Sequence, residues 1–169
     1  MKLLALDQSS RTSGFAVFEN GKLLDYGHFT LTNSDFGTRL TQVKQKIKEL
    51  IEKYKVDEVI FEDIQLKDEN GENISTFKKL AEVFGVVYEY LTDIKMPNSS
   101  VLAVVWKSTL EIKGKARAEQ KRNAQLYVKN SYGLTCTEDE SDAICIGTYY
   151  FVQKEKAKEE ADKYFDWSS

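Results

Sequence analysis

Four acidic residues of this chain stand where a carboxylate can meet a ligand: Asp7, Glu62, Asp139 and Asp142. Asp7 closes the apolar run KLLALD and is followed by Gln8, Ser9 and Ser10, and Glu62 closes DEVIFE in the same way. An acid at the C-terminal end of a strand lies on the sheet edge where open α/β folds receive ligands. Aspartate is also a common turn or capping residue after strands, but two acids ending two strands that would be neighbours are harder to read as turns than one. Asp139 and Asp142 are three residues apart at the start of a helical pattern, so both project from one face near a helix N-terminus. Glu138 and Glu140 beside them would complement the helix dipole equally well. The apolar run Ala143, Ile144, Cys145 and Ile146 that follows marks the helix as core-packed and brings Asp142 to the sheet edge.

Four converging carboxylates repel one another unless cations neutralise them, and hard oxygen ligands select Mg²⁺ or Mn²⁺. Two ions roughly 3.5–4 Å apart can activate a water and stabilise the leaving oxygen of a phosphodiester, with no need of histidine or cysteine. The lone histidine, His28, falls in a strand pattern and is read as structural. Cys136 and Cys145 are nine positions apart with no CxxC partner, which predicts reduced thiols and neither a zinc site nor a redox pair.

The elements that must position these acids can be read from periodicity. Residues 2–7 read as a buried strand, and 13–19 and 22–30 as two more joined at Asn20-Gly21, a strong hairpin signal. Leu40, Val43, Ile47, Leu50 and Ile51 recur at helical spacing within 34–54, and 57–62 is a fourth strand. The polar run 67–75 is a loop, and from about Ser75 a helix carries Phe77, Leu80, Phe84, Val87 and Leu91 on one face. Val83, Val86, Tyr88 and Tyr90 widen that face, as in a helix buried on two sides, in the core or against a second subunit. Residues 101–105 are a fifth strand, a basic helix runs from about Lys115 to Asn130, and a last helix starts near Glu138. The order β-β-β-α-β-α-β-α-α predicts an α/β protein with a five-stranded mixed sheet and helices on both faces, ribonuclease H-like in outline. Residues 1–169 form one domain on this reading, with 153–169 a charged helix end or tail.

The formal charge of −3 at pH 7 speaks at first against nucleic acid. Discounting four ligand carboxylates leaves the remainder slightly positive, and the basic residues are not spread evenly. Lys107, Lys113, Lys115, Arg117, Lys121 and Arg122 face only Glu111 and Glu119 within residues 107–122, immediately before the acidic pair. A solvated helix face is the plain alternative, but a phosphate backbone held there would reach the metals, through contacts that read shape rather than sequence. Lys107, read as ending the fifth strand, is the candidate for a scissile-phosphate contact. The chain begins Met-Lys and runs straight into a strand pattern, with no signal peptide and no run of about 20 apolar residues, which predicts a soluble cytoplasmic protein and no membrane partner.

With these residues in view, the sequence resembles the RuvC family of Holliday junction resolvases, and particularly its relatives in lactococcal and related bacteriophages. The resemblance covers roughly residues 1–150 and rests on LALDQSSRTSGFAVFENG, VIFEDIQ and DESDAICIG, with WKSTLEIKGKARAEQKRNA between them similar to the family's basic segment. It implies a structure-selective endonuclease acting on four-way and other branched DNA, in a phage-infected cell, with Asp7, Glu62, Asp139 and Asp142 as catalytic metal ligands. It also implies a homodimer that places two sites on opposite strands, and no small-molecule cofactor. Relatives of the same fold that cleave RNA–DNA hybrids, or a branched-DNA-binding module without catalysis, are the alternatives. Bacterial relatives carry an aromatic residue shortly after the second acid, whereas here Ile64 and Gln65 follow, and Phe77 is read as core through its register with Leu80 and Phe84.

Overall fold

The structure, a computed structural model, describes residues 1–65 and 74–166. The chain opens with β1 (Lys2–Asp7), β2 (Thr12–Glu19) and β3 (Lys22–Thr30), followed by α1 (Phe36–Tyr54) and β4 (Glu58–Asp63). Then come α2 (Ile74–Asp93), β5 (Asn98–Leu102), α3 (Ala103–Thr109), α4 (Arg117–Tyr132) and α5 (Glu138–Asp166). The strands form a sheet in the order β3-β2-β1-β4-β5. The first three are antiparallel neighbours, while β1, β4 and β5 run parallel. The hairpin turn sits where the sequence places it, with Asn20 at φ 50° and Gly21 at φ 81°, the positive pair that matches strand twist in a two-residue loop.

Side chains alternate between the two faces of a strand, and each face has its own core. Leu3, Ala5, Ala16, Phe18, Ile60 and Val101 pack with Trp106 of α3, Ala124 and Val128 of α4, and Ala143, Ile144 and Ile146 of α5. On the other face Leu4, Leu6, Val17, Val59 and Phe61 meet Val43 and Ile47 of α1 and Val83, Val87 and Leu91 of α2. The five-stranded mixed sheet with helices on both faces is therefore the expected ribonuclease H-like arrangement. Alternation also fixes the acids: Asp7 follows Leu3 and Ala5, and Glu62 follows Ile60, so both face α3, α4 and α5.

Several elements differ from expectation, β2, β4 and α4 by one or two residues at an end and β5 by more. The fifth strand is Asn98–Leu102 rather than 101–105, and Ala103–Thr109 is helix, because the ladder with β4 starts at Val59↔Asn98 and ends at Asp63↔Leu102. Val104 and Val105 are consequently exposed rather than buried in a strand. In α2 the buried stripe is Val83, Val87, Tyr90 and Leu91, while Leu80 is exposed and Phe77 only half-buried, so the first turns do not carry the core. Helix α1 begins at Phe36 because the Asp35 carboxylate accepts from the Thr38 amide at 2.8 Å, an N-cap. Most of the 67–75 loop lies outside the described residues.

Candidate active site

Two acids are brought together by the β1–β4 ladder, and a side chain extends that ladder by one step. The register runs Ala5↔Ile60 and Leu6↔Phe61, so Asp7 comes level with Glu62. The buried Gln8 amide donates through Nε2 to the Glu62 carbonyl at 2.6 Å and accepts from the Glu62 N–H at 3.2 Å. It occupies the place of another backbone rung and fixes the second acid against the first. The turn after Asp7 is closed by Ser9 and Ser13: the Ser9 N–H donates to Ser13 Oγ and Ser13 Oγ donates to the Ser9 carbonyl, both at 3.0 Å. From α3 the wholly buried Trp106 donates its indole N–H to Glu62 Oε2 at 3.0 Å.

The other two acids enter on the N-terminus of α5. Thr137 and Glu140 cap this helix reciprocally: the Thr137 N–H donates to Glu140 Oε1 at 2.9 Å and the Glu140 N–H donates to Thr137 Oγ1 at 3.2 Å. This is a capping box, T-x-x-E. The second Glu140 oxygen meets His28 Nδ1 at 3.1 Å, tying β3 to the helix start. Glu140 is thereby committed to structure, and Asp63, which accepts from Ser100 Oγ and from the Ile64 N–H, faces away from Glu62 on its strand. Gly14, opposite Asp7 in the β1–β2 ladder, allows the approach, since a Cβ there would lie 2.0 Å from the Asp139 carbonyl oxygen. A glycine inside a strand marks such a close backbone approach.

Asp142 is 3% exposed, and its Oδ2 accepts from Lys121 Nζ of α4. Its Oδ1 is buried with no partner. Burial holds the Asp7 carboxyl well above the usual carboxylate range, with Glu62, Asp142 and Asp139 adding to the rise and Lys121 opposing it. Burial also raises Glu62, against the Trp106 hydrogen bond, and raises Asp142, against Lys121. For Lys121, burial alone would lower the pKa, but Asp142, Asp7 and Glu62 outweigh it and the ammonium is held charged. Asp7 therefore feels the other three acids, Glu62 feels Asp142, and a single ammonium supplies part of the charge they need.

Among the described residues no three side chains are arranged tightly enough to enclose an ion as they stand. The donor chemistry nevertheless fits a hard divalent cation: only carboxylate oxygens converge, their charges are strained by burial, and the orphaned Oδ1 of Asp142 is an unfilled acceptor. Asp7, Glu62, Asp139 and Asp142 are the residues that would hold such ions.

The basic residues separate into two groups. Lys113, Lys115, Arg117 and Arg122 are exposed around the start of α4. Lys121, grouped with them from the sequence, instead points inward to Asp142. Lys107 lies on α3 rather than at a strand end; its Nζ donates to Gln120 Oε1 at 3.1 Å and its charge acts on Glu62 and Asp142. Gln8, Trp106 and Gly14 join the site beyond the residues expected from the sequence. Only Gly14 left a local signal, as a glycine in mid-strand; the other two are recognisable through tertiary contact alone.

Over residues 3–149 the chain matches the profile of the crossover junction endodeoxyribonuclease RuvC family. The chain belongs to the RuvC family. Among its relatives, the crossover junction endodeoxyribonuclease RuvC of Bdellovibrio bacteriovorus is 29% identical over 164 residues, covering 92% of this chain and 93% of that protein. The RuvC of Geotalea uraniireducens is 28% identical over 151 residues, 86% of this chain and 85% of the relative. In fold, the chain is similar to Thermus thermophilus RuvC in complex with Holliday junction substrate, with a TM-score of 0.73 at 15% identity over 92% of this chain and 96% of the other. It is similar also to the yeast mitochondrial Holliday junction resolvase Ydc2, with a TM-score of 0.60 at 14% identity, over 96% and 83%. The RuvC-matching span holds all four acids and stops before the exposed outer half of α5.

Proposed function

We propose that this protein is a Holliday junction resolvase, a structure-selective endonuclease that hydrolyses phosphodiester bonds in four-way and other branched DNA at the Asp7, Glu62, Asp139 and Asp142 cluster. The observation that carries the reading is the convergence of these acids from β1, β4 and α5 at one sheet edge, in a chain of the RuvC family. Mg²⁺ or Mn²⁺, two ions per site, would supply the activation of water and the neutralisation of the leaving oxygen.

The chain's own residues do the rest. Asp7 and Glu62 are held in register by the sheet and by Gln8, and Asp142 presents its free Oδ1 inward. Lys121 supplies part of the charge the cluster needs, and it would compete for Asp142 with cations held by Asp7, Glu62, Asp139 and Asp142. Lys107, beside the acids, contacts the scissile phosphate, where a fixed positive charge favours the more negative transition state. Lys113, Lys115, Arg117 and Arg122 hold the DNA backbone on the exposed rim. A second copy docks on α2, whose Tyr88 and Leu80 lie exposed beyond the buried stripe, and one domain of each copy carries one site. No helix among the described residues is long and apolar enough to cross a membrane.

A four-way junction labelled on each strand in turn tests this reading. Paired nicks at symmetry-related positions on opposite strands are expected with Mg²⁺, whereas unpaired nicks or none would contradict it.

The rim is tested separately. Replacing Lys113, Lys115 and Arg117 together by alanine removes three phosphate contacts, and at roughly 0.9 per phosphate the slope of log affinity against log salt should become shallower by about 2–3. Binding isotherms at several salt concentrations measure it. An unchanged slope would place the DNA elsewhere.

A further inference from the structure

Trp106 is wholly buried in the apolar cluster with Val101, Leu110 and Ala124, yet its single polar atom is spent on the site rather than on the backbone. An indole N–H only donates, and a buried one needs an acceptor. Here that acceptor is Glu62 Oε2, at 3.0 Å. Glu62 is thus gripped twice, at its backbone by Gln8 and at its carboxylate by Trp106. The two grips differ from that on Asp142, whose partner is the Lys121 ammonium. An ammonium competes with an incoming cation for the same carboxylate charge. A neutral indole carries no net charge to repel the cation and can keep its hydrogen bond when one binds.

We propose that Trp106 is a positioning residue for Glu62: it occupies Oε2 and leaves Oε1 as the oxygen offered to the divalent cation. The inference rests on the reading of Glu62 as a metal ligand. Without the indole, the flexible Glu62 side chain must be ordered by the cation itself, which weakens binding.

The test uses Mn²⁺ alone, titrated into the intact protein and followed by the electron paramagnetic resonance of the free ion. Trp106→Phe is expected to bind Mn²⁺ about tenfold more weakly, the loss of one charge-assisted hydrogen bond, while Glu62→Gln loses that site's binding more completely. If Glu62→Gln weakens Mn²⁺ binding and Trp106→Phe binds like wild type, the positioning role is overturned while the ligand reading stands. If Glu62→Gln itself binds Mn²⁺ like wild type, the ligand reading falls and the proposal with it. Melting temperatures separate packing from positioning, since a variant that melts earlier but keeps its Mn²⁺ affinity marks Trp106 as core only and overturns the role.

Should Trp106→Phe fail to fold, the wild-type protein carrying ¹⁵N-labelled tryptophan decides. The Trp106 indole N–H resonance is expected to move on Mg²⁺ addition and in Glu62→Gln. A resonance insensitive to both overturns the proposal.

Discussion

Asp7→Asn and Glu62→Gln are expected to abolish junction cleavage and, with no divalent cation present, to make the protein more stable. Changes to groups that merely support a metal ligand cost about 10–100-fold, so removing a ligand itself should exceed that, on the order of 10³-fold or more in single-turnover cleavage of saturated junction. Junction binding should persist or tighten, because each change removes a negative charge that faces phosphate.

The stability effect follows from the direction of the pKa shifts. Burial and the neighbouring acids raise Asp7 and Glu62 above their ordinary values, so the folded state holds their protons more tightly than the unfolded chain. Their contribution is most favourable below the ordinary carboxylate pKa of about 4. It is lost as pH rises from there through the raised folded values, after which the penalty stays constant. Metal-free wild type should therefore melt progressively earlier as pH rises through this window, and Mg²⁺ at neutral pH should reverse the loss. Asp7→Asn should show a shallower dependence, with Glu62 and Asp142 still contributing, and a weaker response to Mg²⁺. Thermal melts from pH 4 to 8 with EDTA and with Mg²⁺ read all of this at once. A cut rate near wild type in either variant would mean that the residue is not a ligand.

The second large effect is expected at a residue with no functional group. In Gly14→Ala the new Cβ would stand 2.0 Å from the Asp139 carbonyl oxygen and 2.4 Å from its carbonyl carbon. Backbone cannot rotate aside as a side chain can, so the first turn of α5 must lift off β2. Overpacking of this kind costs about 1–3 kcal/mol or more, roughly 3–10 °C in melting temperature for a chain of this size. Because the displaced segment carries Asp139 and Asp142, cleavage should fall further than the loss of folded protein explains. Gly37→Ala is the control, since its Cβ would meet nothing nearer than Asp35 Oδ2 at 3.4 Å. It should be neutral or stabilising by up to about 1 kcal/mol, as Gly→Ala within a helix is. Equal melting temperatures and equal cleavage for Gly14→Ala and wild type would remove the close approach of α5 from the account.

What the sequence made legible, and what it did not, divides along physical lines. Strands β1, β2, β3 and β4 announce themselves through buried runs and the Asn20-Gly21 turn, and with them come Asp7 and Glu62 at strand ends. The apolar block after Asp142 likewise declares α5. Strand β5 lies earlier than expected because VLAVV is apolar throughout, and a short apolar run cannot tell strand from helix by period. The strand's first three residues, Asn98, Ser99 and Ser100, carry no apolar signal and are held extended by the parallel ladder with β4, which Val101 and Leu102 complete.

Lys121, expected among the contacts to the DNA backbone, turns inward, and a cue is present: it lies three residues before Ala124 and seven before Val128, the buried stripe of α4. A lysine on a buried stripe points to a buried acid, and Asp142 is that acid. The Gln8 and Trp106 contacts join residues 54 and 44 positions apart, so no local pattern could disclose them.

The central claim is that the acids at this sheet edge form the metal-dependent centre of a junction-selective nuclease. It is tested most directly by incubating the purified protein with a labelled four-way junction, a linear duplex of the same sequence and an RNA–DNA hybrid, each with Mg²⁺, Mn²⁺ or EDTA. The account predicts cleavage of the junction with either metal, little cutting of the duplex or hybrid, and none with EDTA. Junction cleavage that persists in EDTA, or preferential cutting of the hybrid, would contradict it.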